Sequence, residues 1–249
     1  MVVSIALMLG LYRKILGHPF VYEEVRPRVV GGIDMRPLYE LLPEAARSSV
    51  LDVGCGMGDA LKYLDRFESY LGVDTDAIAI EAANKRWGHL PNVRFEARTL
   101  RAEDIVDLAP TGVVLSGVLH HLTNAEAEGV LRLAAGSPRL VRIITSDIVF
   151  LPGKLFNNVM AMMDRGRFCR DPDAYASLAR QAGLTVQQGL TIASSPTSDR
   201  VRYHLMALSL PDAAHATDPD AAHATGPVVP PATASEAAPA AGGGRSDGA

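Results

Sequence analysis

The chain has 249 residues, 48% of them apolar, which is enough for one sizeable core. Of 24 basic and 28 acidic side chains, one base and five acids lie beyond Leu210 and carry the whole net charge of −4. The neutral body argues against nonspecific nucleic-acid binding, which draws on clustered positive charge. Two cysteines, Cys55 and Cys169, exclude a disulfide-dense scaffold and a four-thiolate zinc site; no metal site is expected.

The run Val2 to Leu11 is apolar, with no basic residue before it and no small-residue cleavage pattern after it. It reads poorly as a signal peptide and is too short to span a bilayer. Ile5, Met8, Leu9, Tyr12, Ile15 and Leu16 recur at helical spacing and predict a packed amphipathic helix, with membrane-surface attachment as the alternative. The cytoplasm is the expected compartment. Past Arg26-Pro27-Arg28 a second helix is predicted to end near Leu42. Residues 1–48 are therefore read as an N-terminal helical cap.

Residues 49–208 alternate strand-like and helix-like segments, the mark of a parallel sheet covered on both faces. Strands are predicted at Ser49–Val53, Tyr70–Asp74, Val93–Ala97, Val113–Gly117, Arg139–Thr145, Leu184–Leu190 and Arg202–Leu208. Helices are predicted near Asp59–Arg66, Ala77–Arg86, Asn124–Ala135 and Pro172–Gln181. The last is the best marked, with Asp171 as N-cap, Pro172 at the first position and Gly183 after the end. Residues 148–170 interrupt the alternation. They carry an amphipathic segment around Leu155, Phe156, Val159, Met160 and Met163, expected to fold near the carboxyl ends of the strands.

Beyond residue 210 the composition changes. Pro211–Asp218 (PDAAHATD) is repeated nearly letter for letter as Pro219–Gly226 (PDAAHATG), and Ala-, Pro- and Gly-rich sequence follows. Such a polymer buries too little apolar surface to offset its ordering entropy, so residues 211–249 are read as a disordered tail. His215 and His223 alone do not make a metal site.

The segment Val50 to Asp59 (VLDVGCGMGD) runs from an apolar strand through three glycines towards a helix. Glycines there allow a sharp turn and the approach of a ligand to bare backbone, and a helix N-terminus presents unpaired N–H groups to negative charge. Asp74, at the end of the next strand, can accept hydrogen bonds from both hydroxyls of a ribose. A dinucleotide site has the same layout, with glycines spaced G-x-G-x-x-G. Here the spacing is Gly54-x-Gly56-x-Gly58, and Asp59 stands where the third dinucleotide glycine belongs.

Leu51 to Gly58 (LDVGCGMG) resembles motif I of the class I S-adenosylmethionine (SAM)-dependent methyltransferases. Val73-Asp74 resembles the end of their motif II. Leu115 to Leu122 (LSGVLHHL) resembles their motif IV region, in the manner of the ubiquinone/menaquinone-biosynthesis type and its small-molecule relatives. The resemblance implies a doubly wound α/β fold: a mostly parallel, seven-stranded, Rossmann-like sheet with an antiparallel last strand. It implies SAM as cofactor. Asp52, Gly54, Gly56 and Gly58 would surround its methionine part, Asp74 its ribose, and the backbone of Ser116 and Gly117 its amino group. Residues 49–210 form the methyltransferase domain on this reading, with 148–170 as a cap insertion. The Gly-Asp usual after the third strand is absent; Arg98-Thr99 stands there, with Glu103 or Asp104 as substitutes for the adenine contact.

Methyl transfer from a sulfonium needs alignment, a dry cavity and sometimes a base. Neither the Asn/Asp-Pro-Pro-aromatic tetrapeptide of amino-methylating enzymes nor a Pro-Cys nucleophile is present. A small-molecule acceptor is therefore the expected partner. His120 and His121 follow the fourth strand and are the candidate bases, since imidazole titrates near neutrality; on an extended segment one would face the substrate and the other the protein. Arg165, Arg167 and Arg170 lie close together and could hold an acceptor carboxylate or phosphate. A solvated loop is the alternative. Three other functions compete: a SAM-fold enzyme without methyl transfer, a non-catalytic binding module and an NAD(P) oxidoreductase.

Overall fold

The computed structural model describes residues 34–163, 167–195 and 198–211. Within them seven strands form one sheet: β1 (Ser49–Val53), β2 (Ser69–Asp74), β3 (Val93–Ala97), β4 (Gly112–Ser116), β5 (Arg142–Ile148), β6 (Thr185–Ser195) and β7 (Ser198–Ser209). Their order is β3-β2-β1-β4-β5-β7-β6. The first five strands pair in parallel, and β7 runs antiparallel between β5 and β6. This is the doubly wound sheet expected, antiparallel last strand included. The strand order reverses between β1 and β4, where such sheets bind ligands beyond the carboxyl ends of their strands.

Burial on both faces explains why the strands read as continuous apolar runs. On one face Val50, Tyr70, Val93, Phe95, Val114 and Ile144 meet helices α1 (Arg36–Glu40), α2 (Ala77–Trp87) and α5 (Leu155–Met163) through Leu38, Ile80 and Ala161. On the other, Leu51, Leu71, Val113 and Ile143 meet α3 (Ala102–Leu108), α4 (Asn124–Ala135) and α6 (Pro172–Gln181) through Ile105, Leu131 and Leu178. Local chemistry fixes the helix starts. Asp76 accepts from the Ile78 and Ala79 amides, Thr123 and Glu126 form a reciprocal capping box, and Asp171 accepts from Ala174 before Pro172.

Several expectations need correction. The helix predicted at Asp59–Arg66 is a single 3-10 turn, Asp59–Lys62. Its first side chain pairs with Lys62 and Arg86 instead of capping the turn. β5 begins at Arg142 and runs on to Ile148, carrying Asp147 into the sheet. Helix α3 was not anticipated. The insertion helix α5 turns Asn157 and Ala161 inward and leaves Leu155, Val159 and Met162 exposed. Asn157 decides that rotation, donating to the Val149 carbonyl at 2.6 Å and accepting from the Arg202 amide at 2.7 Å. The helix expected around Ile5–Leu16, Arg165 and the tail from residue 212 lie outside the described residues. The second predicted helix is α1, which packs on the sheet beside β5.

Candidate active site

The loop after β1 is built by backbone conformation. Gly54, Gly56 and Gly58 have φ of 70°, 53° and 73°, values that side-chain-bearing residues avoid. The first and last are also hemmed in. A Cβ on Gly54 would come within 2.6 Å of Val118 Cγ2, and one on Gly58 within 2.7 Å of Phe95 Cζ. Gly56 differs: a Cβ there would meet nothing within 4 Å, so bare backbone faces open space. The Gly54 and Cys55 amides donate to the Val73 carbonyl at 2.8 and 3.2 Å, tying the loop to the end of β2.

Asp74 completes this cradle. Its Oδ2 accepts from the Gly56 amide at 2.9 Å and its Oδ1 from the Asp76 amide at 2.9 Å. Carboxylate oxygens have further lone pairs, so both remain able to accept from a ligand hydroxyl.

Asp52 lies elsewhere. It is buried beneath the loop, and the Tyr70 hydroxyl donates to its Oδ2 at 2.5 Å. Burial pushes its carboxyl up to about 7, against the Tyr70 hydrogen bond, which lowers it. Asp52 therefore supports the loop from below. Burial likewise pushes the Cys55 thiol up, with Asp52 and Asp74 adding to the rise, so it is no nucleophile.

The substitutes expected near the adenine are otherwise engaged. Both oxygens of Asp104 are taken by Arg98, at 2.7 Å each, and one also by the Arg101 amide at 2.8 Å. Burial works to raise the Asp104 carboxyl, but these donors hold it below its ordinary range. Glu103 is exposed at the start of α3.

The end of β4 meets the middle of β5. Ser116 pairs with Ser146 in register, and the Gly117 amide donates to the Ser146 carbonyl at 2.7 Å. Beside it, Thr145 Oγ1, Ser146 Oγ and Asp147 Oδ2 are three consecutive side-chain oxygens, all buried and none hydrogen-bonded. Buried polar atoms are rarely left without a partner.

His120 and His121 sit on a 3-10 turn, Leu119–His121, and not on an extended segment, so the opposite-faces argument does not apply. Their rings lie together, with centroids 4.1 Å apart. His120 is buried, and His121 is exposed. Asp147 Oδ1 accepts from the His120 backbone amide at 3.0 Å and lies 2.7 Å from its Nδ1. Sequence reasoning missed Asp147, which the predicted boundary Arg139–Thr145 left outside the strand.

The arginines separate as well. Arg170 is buried, and all of its side-chain N–H groups are spent. It donates to the carbonyls of Leu119, Phe168 and Leu122, and to Asn124 Oδ1, at 2.7–3.0 Å. It is a staple holding the histidine turn to the insertion, and with every donor engaged it has none left for the acceptor anion expected of it. Arg167 is exposed on the same segment. Among the described residues no group of three or more His, Cys, Asp or Glu could hold a metal ion, and no helix is long and apolar enough to cross a membrane.

Residues 50–137 match the family described as "Methyltransferase domain". No curated protein matches the chain in sequence. Among solved structures it resembles NcsB1, an O-methyltransferase from neocarzinostatin biosynthesis in complex with SAM and 2-hydroxy-5-methyl naphthoic acid. The TM-score is 0.54 at 22% identity, over 80% of this chain and 60% of that one. It also resembles a putative SAM-dependent methyltransferase from Listeria monocytogenes (TM-score 0.52, 17% identity, 72% and 98% covered). A third likeness is to a structure described as "A Pericyclic Reaction enzyme" (TM-score 0.50, 19% identity), of which this chain spans 47%. Residues 50–137 thus match a methyltransferase domain in sequence, within a chain that has the fold of the SAM-dependent methyltransferases.

Proposed function

We propose that this protein transfers a methyl group from SAM to a small-molecule acceptor. One observation carries the reading: the open backbone of Gly56, held by Asp74 beside the point where the strand order reverses. That cradle suits a ribose next to a flexible amino-acid chain. Bound there, SAM supplies an activated methyl group on a sulfonium. Gly54, Gly56 and Gly58 would hold its methionine part, Asp74 its ribose, and the Ser116–Gly117 backbone its amino group. Asp52, buried under the loop, acts through the loop's shape.

His120 and His121 are the proposed proton acceptors, and Arg167 and Arg165 the proposed anion contacts for the acceptor. The motif IV region resembles that of the ubiquinone/menaquinone-biosynthesis-type enzymes, and NcsB1, described as an O-methyltransferase, has a similar fold. A hydroxylated small molecule is therefore the acceptor class to test first.

The test is transfer of tritiated methyl from SAM into the small molecules of a cell extract, followed by mass spectrometry of the labelled product. The expected result is one product heavier by a single methyl group. The likeness to a pericyclic-reaction enzyme favours a second reading, in which SAM is bound but not consumed. An isomerised product with no mass gain and no label would select it.

A further inference from the structure

We propose that Asp147 is a positioning residue for His120, fixing it as the proton acceptor of the reaction. The inference rests on the methyl-transfer reading above. It starts from the pair itself, both members of which are buried. One carboxylate oxygen, Asp147 Oδ1, meets both the backbone amide of His120 and its ring Nδ1, at 3.0 and 2.7 Å. Two contacts from one oxygen to one residue fix the ring's position and also its torsion. With the Asp147 oxygen as acceptor of this contact, Nδ1 carries the hydrogen. The neutral ring then has its lone pair on Nε2.

The ring is also in the right place. His120 Cε1, the ring carbon between Nδ1 and Nε2, lies 3.7 Å from where a Cβ of Gly117 would stand. Gly117 follows β4 at the reversal of strand order, and Val118 next to it packs over Gly54 of the glycine loop. His120 thus packs against the backbone that follows β4, one residue before the side chain that covers Gly54.

The second carboxylate oxygen adds a separate argument. Asp147 Oδ2 is buried with no hydrogen-bond partner, a costly arrangement for a carboxylate. Holding a ring in place needs only one acceptor, which an amide would provide. A charge kept in a dry setting stabilises an imidazolium when one forms.

Among the described residues, four other titratable groups stand around this pair. His121 stacks on His120 from the same turn. His204 of β7 stands opposite Asp147 in register, and burial keeps its imidazole below the ordinary range, although Asp147 pulls the other way. Tyr175 of α6 donates its hydroxyl to the Ile148 carbonyl. The Arg170 guanidinium is spent on carbonyls and Asn124. In the reaction the acceptor atom forms its bond to the methyl carbon, and the carbon–sulfur bond breaks with its electrons staying on sulfur. The proton of the acceptor atom passes to His120 Nε2, giving an imidazolium beside Asp147.

The experiment has two arms on the full chain. Nitrogen-15 NMR of the wild type should show His120 neutral with hydrogen on Nδ1 and none on Nε2; the opposite tautomer would overturn the assignment. In the second arm, tritiated-methyl transfer into extract small molecules is measured for Asp147→Asn, Asp147→Glu, His120→Ala and His121→Ala. Asp147→Asn and His120→Ala should each lower turnover by about 10²-fold, the low end for loss of an acid–base group. SAM affinity should stay unchanged, and the Asp147→Glu variant should regain part of the rate. The pH–rate profile of Asp147→Asn should move to lower pH, a shift that a merely structural role would not produce. Normal turnover in Asp147→Asn, or a loss confined to His121→Ala, would refute the proposal. A wild type that binds SAM but labels nothing would end the methyl-transfer reading, while the NMR arm still decides the tautomer.

Discussion

The carboxylate of Asp74 clamps the amide of Gly56 at 2.9 Å, across 18 residues of sequence. The loop's shape and the ribose acceptor are therefore one device. Asp74→Ala removes both, and a hydrogen bond to a charged group is worth about 1.5–3 kcal/mol. Calorimetry should show SAM binding weakened by at least about tenfold, with the fold retained. Unchanged affinity would remove Asp74 from the site.

Two glycines of the same loop should fail in different ways. Gly58→Ala puts a methyl group within 2.7 Å of Phe95 and 2.8 Å of Trp87, at a φ of 73°. It should cost stability by about 1–3 kcal/mol, as overpacking does. Gly56→Val points its side chain into open space, where the ligand must approach. It should abolish SAM binding at a smaller stability cost, confined to backbone strain. Urea unfolding together with SAM titration separates the two; equal effects of both changes would show that the open space is not a ligand site.

Asp52 predicts a pH dependence of stability. Its carboxyl is raised by burial from 3.8 to about 7, so between those values the folded chain keeps a proton that the unfolded chain has lost. The resulting stabilisation is full below pH ~4 and is lost as pH rises to about 7. Asp52→Asn should flatten that limb of the urea midpoint against pH. An unaltered slope would mean that another group titrates there.

Arg170→Ala should act on stability first. It leaves the carbonyls of Leu119, Leu122 and Phe168 without this donor. An unsatisfied buried group costs about 1–3 kcal/mol, so the total loss should reach roughly 3 kcal/mol or more. Arg167→Ala, on an exposed side chain, should leave the melting temperature within error. Its effect should fall on the acceptor's Michaelis constant. A stable Arg170→Ala chain would contradict the staple.

The repeated small-residue composition beyond Leu210 makes the tail dispensable. A chain ending at Leu210 should keep the melting temperature and SAM affinity of the full protein. A drop in either would show that the tail docks.

The sequence by itself determined the parts governed by near neighbours. The β1–glycine–β2 cradle was legible because turn geometry and glycine φ act within a few residues, and the spacing from Gly54 to Asp74 follows from one crossover between parallel neighbouring strands. The caps at Thr123 and Asp171 were legible for the same reason. The alternation of segments was enough for the doubly wound sheet. Tertiary structure alone decided the rest. His120 and His121 are indistinguishable by pattern; what separates them is a carboxylate 27 residues away that reaches only the first. Arg170 reads as a surface cation until Asn124, 46 residues distant, and the carbonyls of a 3-10 turn are brought to it. The rotation of α5 was set by Asn157 against β7, not by its apolar stripe. Each of these depends on which strands become neighbours, and sheet order brings together hydrogen-bonding groups that no local periodicity connects.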